Sequence, residues 1–327
     1  MPPAPLRVPR GFPASLILNQ IMKTCIIYCP NHHPFISVKK RWEQIAAELS
    51  RQGVDYDLVQ SEDSESVERL VDMLINNGYD TIIIAGGDSA LNDAANCLMR
   101  AEQRVRERIA LGVIPNGVMN DFAAFWGLDY KDISNSVQTI VNRRVRKIDV
   151  GTISYRNRKG EPCSHYFLNS VNIGLLAATQ SLRQRMRKRL WSRKLSYAAT
   201  LVMIIFQKMT YKMSYTIDNV EEFHRVMTLC IGNAHGYGQT PNATPYNGLL
   251  DVTVVRQIAI LQIINAIYLF LKGKLLTHKY VLPYRTSSID IKMQTTTPCN
   301  VDGHPIEAQT DRVSVSVLPE QINFIVA

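Results

Sequence analysis

The sequence predicts two domains, an N-terminal α/β domain with a doubly wound parallel sheet and a C-terminal domain that is mainly β. Strand and helix patterns alternate over residues 22–148, which is typical of a parallel sheet with helices on both faces. Short strand patterns dominate residues 149–327 and favour an antiparallel, sandwich-like domain. Prolines cluster near the start of residues 1–21, which we expect to be a disordered extension, with Met22 as an alternative start.

The N-terminal elements follow from apolar spacing. Runs of apolar and β-branched residues predict strands, and apolar residues three and four apart predict helices. The carboxyl ends of such strands are where ligands bind to a parallel sheet. The predicted strands are Thr24–Tyr28, Tyr56–Val59, Thr81–Ile84 and Ala110–Ile114, and the predicted helices are Val38–Gln52, Ser64–Asn76, Ala90–Met99 and Asn120–Phe125.

The C-terminal half is predicted to consist of strands with two helical insertions, near 176–208 and 258–272. Turn residues separate most of these strands, as expected of an antiparallel domain. The predicted strands are Ile148–Ile153, His165–Val171, Tyr211–Ile217, Arg225–Ile231, Leu250–Val255, Ser288–Met293 and Val313–Leu318.

Composition limits the function classes. Apolar residues make up 46% and charged residues 20% of the chain, as in soluble globular proteins. The net charge of +9 suits a phosphorylated ligand, an anionic membrane or nucleic acid. The six cysteines form no paired Cys-x-x-Cys motif, which favours a reduced protein without structural zinc. No apolar run reaches the roughly 20 residues that a membrane-spanning helix needs.

The most informative stretch is Gly86-Gly87-Asp88, which follows a buried strand and precedes a helix. A strand that ends in glycines and turns into a helix directs backbone N–H groups and the positive end of the helix dipole at one point. Such a corner suits a phosphate group. An ordinary strand-to-helix turn is the alternative, and the tripeptide alone does not decide between them.

Further motifs follow in a fixed order. A second strand-to-helix turn spans residues 114–123, with Asn120 or Asp121 as the helix cap. Asn233 belongs to a glycine-rich segment, and Asp302 begins an Asp-Gly-His turn near the end.

In this order and spacing the motifs resemble the diacylglycerol kinase catalytic-domain family, which includes bacterial lipid kinases, sphingosine kinases and ceramide kinases. The resemblance extends over about residues 22–327. It rests on four blocks: Gly86, Gly87, Asp88 and Asn92; Pro115, Gly117, Asn120, Asp121 and Ala123; Phe167, Leu168, Asn169, Ile173 and Gly174; and Asp251.

The resemblance implies ATP-dependent phosphorylation of a lipid hydroxyl, of the diacylglycerol or sphingoid-base class. The reaction would occur between a nucleotide-binding domain like that of NAD kinase and phosphofructokinase and a β-sandwich-like domain. ATP and Mg²⁺ are the implied cofactors, since phosphoryl transfer needs a phosphate cradle, a cation and a proton acceptor. The implied nucleotide-binding residues are Ser61, Gly86, Gly87, Asp88, Ser89, Ala90, Leu91, Asn92, Gly117, Val118, Asn120 and Asp121. The implied metal ligands are Thr244, Asn247 and Leu249, and the implied catalytic residues are Asp302 and His304.

The chain departs from the family pattern at several positions. Ser89 and Ala90 replace Gly-Thr in the first motif, and Val118 replaces a nucleotide-contacting threonine. Asn247 replaces an aspartate at the implied metal site, and a neutral oxygen holds Mg²⁺ less well than a carboxylate. These departures support a second hypothesis, in which the protein binds lipid or nucleotide without turnover.

His304 stands where relatives carry the glutamate that is proposed to accept the proton. A histidine with a pKa of about 6.5 can accept a proton at neutral pH, so it can replace that base. The alternative is a turn histidine without a role. Glu307 is a weaker candidate base, because it is predicted to lie on the next strand.

Basic residues at 183–194 flank Leu190 and Trp191 in a predicted helix, which favours peripheral contact with an anionic membrane over a merely solvated face. We therefore expect a cytoplasmic protein at the inner membrane face, with no nucleic-acid partner, since no such module is visible. A homodimer is left open. A soluble kinase of the NAD kinase type is a third hypothesis, less favoured because its further motifs differ.

Overall fold

The computed structural model describes residues 23–30, 38–62, 64–117, 120–157, 159–179, 210–235, 240–294, 297–306 and 308–327. The N-terminal half alternates strands and helices, as predicted from the apolar spacing. Its elements are β1 (Thr24–Tyr28), α1 (Val38–Arg51), β2 (Asp57–Gln60), α2 (Ser64–Asn76), β3 (Thr81–Gly86), α3 (Asp88–Arg100), α4 (Gln103–Arg108), β4 (Ala110–Pro115), α5 (Asp121–Phe125) and α6 (Ile133–Asn142).

The C-terminal half is built mainly of strands. Residues 175–179 are helical, and a 3₁₀ turn spans Leu275–Thr277. Its elements are β5 (Arg144–Asn157), β6 (Pro162–Phe167), β7 (Ser170–Gly174), β8 (Tyr211–Ile217), β9 (Val220–Gly232), β10 (Leu250–Arg256), α7 (Ile260–Leu271), β11 (Val281–Thr286), β12 (Ser288–Met293), β13 (Cys299–Val301), β14 (His304–Ile306) and β15 (Ala308–Val326).

The N-terminal strands form a parallel sheet in the order β2-β1-β3-β4. The last strand joins the two halves: Asn323 and Phe324 at the end of β15 pair in parallel with β4, while its earlier residues pair antiparallel with β12. The C-terminal strands then continue from β12 through β8, β9 and β7 to the β13–β14 hairpin. Strand β5 pairs with β15 along nearly its whole length, so one long ribbon connects the two halves.

Apolar residues cover both faces of the parallel sheet. One face packs against α2 and α3, and the other packs against Ile45 and Leu49 of α1 and Val137 and Ile140 of α6. A third apolar cluster lies between the antiparallel strands, with Phe167 and Tyr215 among its largest buried side chains. The predicted two-domain architecture, with an α/β domain and a β-sandwich-like domain, is therefore confirmed.

Two element boundaries differ from the predictions in ways that matter for the site. Helix α3 begins at Asp88, two residues earlier than predicted, so Asp88 lies in its first turn. The predicted strand His165–Val171 is two strands, because the N–H groups of residues 168–170 bind the carboxylate of Asp302 rather than continuing the ladder. Sequence spacing did not reveal α4, α6, β11, β13 or β14.

Several predictions fall outside the described residues: the N-terminal extension with Met22, Val118, Glu307, and the basic residues 183–194 with most of their predicted helix. None of the helices in the described ranges is long and apolar enough to cross a membrane.

Candidate active site

The first turn lies at the carboxyl edge of the parallel sheet, between β3 and α3. The Gly87 carbonyl accepts the N–H of Leu91, which leaves the N–H groups of Asp88, Ser89 and Ala90 without an acceptor inside the helix. These three N–H groups and the helix dipole point toward the same space, as an anion site requires. The first turn can therefore bind a phosphate through its backbone despite the altered side chains at 89 and 90.

Glycine at position 86 is needed for packing. A Cβ there would lie 3.1 Å from the Cβ of Ala90 and 3.2 Å from that of Cys29, closer than nine in ten real Cβ contacts. A side chain at this position would therefore require α3 or the end of β1 to shift by a few tenths of an ångström. This close approach brings the α3 N-terminus against the sheet edge.

Asp88 connects the first turn to the second. Its carboxylate accepts the N–H of Asp121 at 2.8 Å and that of Phe122 at 3.2 Å, so it caps α5. Asn120 occupies the cap position, but its side chain accepts the N–H of Gly117 instead. The prediction that Asn120 or Asp121 is the helix cap is confirmed in position by Asn120, but the capping oxygen comes from Asp88, 33 positions before Asp121.

The second turn is anchored by residues that the motif comparison did not single out. The Asn116 side chain donates to the Cys29 carbonyl and accepts from Arg41, both of which lie near the sheet edge. Arg41 is buried and also donates to the Pro115 carbonyl. Its four-residue spacing from Ile45 is the sole sequence sign that it faces inward.

Ser61 follows β2 at the same edge, as predicted. Its hydroxyl lies 2.9 Å from that of Ser66, and the side chain is 4% exposed. Leu91 and Asn92 are also buried, so they support the first turn from within rather than through exposed side chains. Of the predicted nucleotide residues on α3, Ser89 has the most exposed side chain.

Helix α3 is tied directly to the C-terminal domain. The amide nitrogen of Asn92 faces the Asp302 carboxylate at 3.1 Å and the Tyr166 carbonyl at 3.2 Å, in the orientation that satisfies both acceptors. One turn later, Asn96 donates to the same carbonyl and accepts the Tyr166 N–H. The turn between β3 and α3 and the Asp302 turn are thus parts of one hydrogen-bonded unit.

Asp302 lies in the two-residue turn of the β13–β14 hairpin. Asp302 and Gly303 both have positive φ, 45° and 85°, as a type I′ turn requires. The buried carboxylate accepts the N–H groups of Leu168, Asn169 and Ser170 at 2.7–3.2 Å. With its oxygens occupied in this way, Asp302 positions the segment between β6 and β7.

His304 follows this turn and is half-buried. Its Nδ1 has no hydrogen-bond partner among the described residues, and the same holds for Nε2 of the neighbouring His165. Burial lowers the pKa of His304 below its usual 6.5. Burial and the charge of His304 also lower the pKa of His165. At neutral pH both rings are therefore neutral. Nδ1 of His304 is itself buried, so a proton from a substrate would have to reach the other ring nitrogen.

Four aspartates converge where these elements meet. Burial raises the pKa of Asp88 to about 7 and that of Asp302 to about 6, and the charge of Asp121 adds to both effects. The pKa of Asp93 is also raised to about 7, first by burial and then by Glu68 and Asp302. Mutual repulsion of this kind favours a bound cation or a shared proton. Among the described residues, no group of three His, Cys, Asp or Glu side chains forms a metal site.

The loop with the predicted metal ligands is closed by its own hydrogen bonds. The Thr244 carbonyl accepts the N–H of Tyr246 at 2.8 Å, and Oδ1 of the exposed Asn247 accepts the N–H of Leu249 at 2.9 Å. The Thr244 carbonyl and the Asn247 side chain would offer a cation neutral oxygens, and each of these oxygens already accepts a hydrogen bond. Mg²⁺ prefers carboxylates and near-octahedral geometry, so these residues fit a dedicated Mg²⁺ poorly. The ligand assignment at 244, 247 and 249 stays a prediction.

Asp149 holds this loop in place and was missed in the sequence. Its buried carboxylate accepts the N–H of Gly248 at 2.7 Å and that of Glu320 at 2.9 Å, and its own N–H donates to Pro245. Asp149 lies inside an ordinary apolar strand pattern, so no local signal marks it. The Tyr246 ring also packs 5.8 Å from that of Trp126, which joins the loop to the N-terminal domain.

Comparison with known proteins agrees with this architecture. The family described as "Diacylglycerol kinase catalytic domain" matches residues 36–153, and the family described as "YegS C-terminal NAD kinase beta sandwich-like domain" matches residues 169–326. A protein of Shewanella frigidimarina named "Probable lipid kinase YegS-like" is 25% identical over 85% of this chain and 86% of its own.

Two solved structures show the same fold. A diacylglycerol kinase from Bacillus anthracis has a TM-score of 0.67 and 18% identity, covering 93% of this chain and 97% of its own. Yeast NADH kinase in complex with NADH has a TM-score of 0.55 and 10% identity, covering 94% and 84%. The two family matches divide nearly the whole chain between them, in the order of its two domains. Residues 36–153 therefore form a domain of the diacylglycerol kinase catalytic-domain family, and residues 169–326 form a domain of the YegS C-terminal family.

Proposed function

We propose that this protein transfers the γ-phosphate of ATP to the hydroxyl of a lipid, of the diacylglycerol or sphingoid-base class, in the cleft between its domains. The observation that carries the proposal is the contact between Asn92 and Asp302. Asn92 lies one turn from the phosphate-binding N-terminus of α3, and Asp302 lies two residues before His304. The donor half and the acceptor half of a phosphoryl transfer are therefore held in fixed relation.

On the nucleotide side, the N–H groups of Asp88, Ser89 and Ala90 would bind phosphate oxygens through the backbone. The second turn would be shaped by Gly117, Asn120 and Asp121. The Asp88 carboxylate holds this turn next to the first turn by accepting the N–H of Asp121. The carboxyl edge of the parallel sheet, where the nucleotide would bind, would be supported by Ser61, Gly86, Gly87, Leu91 and Asn92. A Mg²⁺ ion that accompanies ATP supplies charge neutralisation for the transferred phosphoryl group.

On the acceptor side, His304 would take the hydroxyl proton of the lipid through the ring nitrogen other than the buried Nδ1, because burial keeps its ring neutral at neutral pH. Asp302 is a positioning residue in this scheme. It fixes the hairpin turn against residues 168–170, so that the ring of His304 keeps its place.

The loss-of-function alternative has its own support. The loop at 244–249 offers no carboxylate, and Ser89, Ala90 and His304 depart from the family pattern. A protein of this kind would bind nucleotide or lipid without turnover. The yeast NADH kinase likeness concerns the fold alone, and incubation with NAD and ATP tests the soluble-kinase alternative directly.

The test is incubation of purified protein with labelled ATP, Mg²⁺ or Mn²⁺ and a lipid panel, with phospholipid product as the readout. We expect product with the native chain, a loss in kcat of roughly 100- to 10,000-fold for His304→Ala, and substantial activity for His304→Glu. His224→Ala is the matched control, since His224 pairs with Glu222 on β9.

Full activity of His304→Ala would remove the proton-accepting role from His304. Absence of product with any lipid and either metal, together with measurable ATP binding, would favour the protein without turnover.

A further inference from the structure

Helix α7 has an outer face that is exposed in the part of the chain that the structure describes. Its inner residues Ile263 and Ala266 pack against strands of the C-terminal domain. On the other side, Ile264 is 54% and Tyr268 is 57% exposed. These two residues are four apart and therefore lie on the same face of the helix. All but two of the helix residues are apolar, which is unusual for a helix with one face in solvent.

The surroundings of this face are basic. Lys272 lies four residues after Tyr268, just beyond the helix end, and Lys274 and Lys279 are exposed nearby. The sequence from 252 to 289 contains lysines and arginines but no aspartate or glutamate. An exposed apolar face with a basic border, in a region without acidic residues, is complementary to an anionic lipid surface.

We propose that the outer face of α7 docks on an anionic lipid bilayer, with Ile264 and Tyr268 inserted at the interface and the lysines against lipid headgroups. A second copy of the chain is a poorer occupant. In a two-fold symmetric dimer the same basic borders would face each other without acidic partners.

The position of α7 agrees with a lipid acceptor, and in this respect the inference rests on the proposed function. Leu175, directly after β7, packs in the same apolar cluster as Ile263. The other end of β7 begins at Ser170, whose N–H binds Asp302. The five residues of β7 span about 15 Å, so the inner side of α7 lies roughly one strand length from the candidate acceptor site, with the docking face on the far side of the helix.

The experiment is co-sedimentation of the full chain, without nucleotide, with vesicles of phosphatidylcholine mixed with phosphatidylglycerol and with vesicles of phosphatidylcholine alone. We expect the native chain to bind the mixed vesicles more tightly. The double variant Ile264→Ser/Tyr268→Ser and the double variant Lys272→Glu/Lys274→Glu should each weaken that binding by about tenfold or more. All four side chains are exposed, so circular dichroism should show an unchanged fold.

Phe223→Ser is the matched control. Phe223 is an exposed aromatic residue on β9, 65% accessible, that directly follows Glu221 and Glu222, and its replacement should leave vesicle binding unchanged. Equal binding of both vesicle types, or α7 variants that bind like the native chain, would overturn the proposal. So would a dimer in solution that these variants dissociate, since that outcome assigns the face to a second copy.

A kinase assay with a water-dispersed short-chain diacylglycerol separates the two proposals. The α7 variants should phosphorylate it like the native chain, because this acceptor does not have to be drawn from a bilayer. Loss of vesicle binding with retained vesicle-independent activity supports docking by α7. Absence of activity in the native chain and every variant, with this acceptor and with the full lipid panel, contradicts the kinase proposal, and the expected vesicle results would still support the docking face.

Discussion

Two loops of the C-terminal domain are built on the same principle and differ in what they offer the site. In the β13–β14 turn, the buried carboxylate of Asp302 binds three backbone N–H groups of the segment before β7. In the loop at 244–249, the buried carboxylate of Asp149 binds the N–H groups of Gly248 and Glu320. In both cases a distant aspartate fixes the loop.

The difference lies in the residues that these aspartates position. The hairpin presents His304, a neutral ring with an unoccupied nitrogen among the described residues. The loop presents Asn247, an exposed amide whose oxygen is already engaged by Leu249. The aspartates that hold the two loops are thus in place, and two of the residues that depart from the family pattern, Ser89 and Asn247, are exposed. This favours an altered reaction or cation requirement over a collapsed site.

The strongest test of this comparison is Asp302→Ala. Removing the carboxylate leaves three largely buried N–H groups without their acceptor, so we expect the free energy of unfolding to fall by about 4 kcal/mol. Asp149→Ala, which frees two N–H groups, should cost less, about 2–3 kcal/mol. Urea unfolding followed by circular dichroism measures both.

His304→Ala is the control for the same hairpin and should change the free energy of unfolding by less than about 1 kcal/mol. A loss as large as that of Asp302→Ala would mean that His304 stabilises the fold, and the division between a positioning aspartate and an available histidine would fail.

The next effect concerns Asp93, whose pKa of about 7 in the folded protein exceeds the usual value of 3.8. The folded state therefore holds a proton that the unfolded state has lost, and this contribution to stability disappears as pH rises through 7. Asp93→Asn removes the titration. We expect the free energy of unfolding of the variant, relative to that of the native chain, to rise by about 2 kcal/mol from pH 5 to pH 8.

Urea unfolding at both pH values measures this gain, with Asp55→Asn at an exposed position as the control. If the difference in free energy of unfolding between Asp93→Asn and the native chain is the same at both pH values, Asp93 does not have the raised pKa. The repulsion among the site carboxylates would then rest on Asp88 and Asp302.

The spacing of apolar residues was sufficient to predict elements whose ends depend on their own neighbours in sequence. The bounds of β1, α2, β8 and β12 are those expected from apolar spacing. The predicted strand His165–Val171 failed because its break is caused by Asp302, more than 130 residues away in sequence. Asp149 and Asn96 were missed for the same reason: each acts on a distant segment, and neither has a distinctive local context. Candidate residues could be named from motifs, but whether each one positions or reacts depends on contacts that spacing does not contain.

The smallest predicted effect is the most direct test of the loop at 244–249. Asn247→Asp supplies the carboxylate that the loop lacks, on a side chain that can still accept the Leu249 N–H. Mg²⁺ above its dissociation constant should then stabilise the variant by roughly 1 kcal/mol, equivalent to about 2 °C in Tm, and should leave the native chain unchanged. Thermal unfolding in Mg²⁺ and in EDTA measures this, with Asn142→Asp on the exposed side of α6 as the control for added charge. An equal shift in the native chain and the Asn247→Asp variant, absent from the control, would show that the loop holds a cation through neutral oxygens, and the contrast with the hairpin would then lie only in His304.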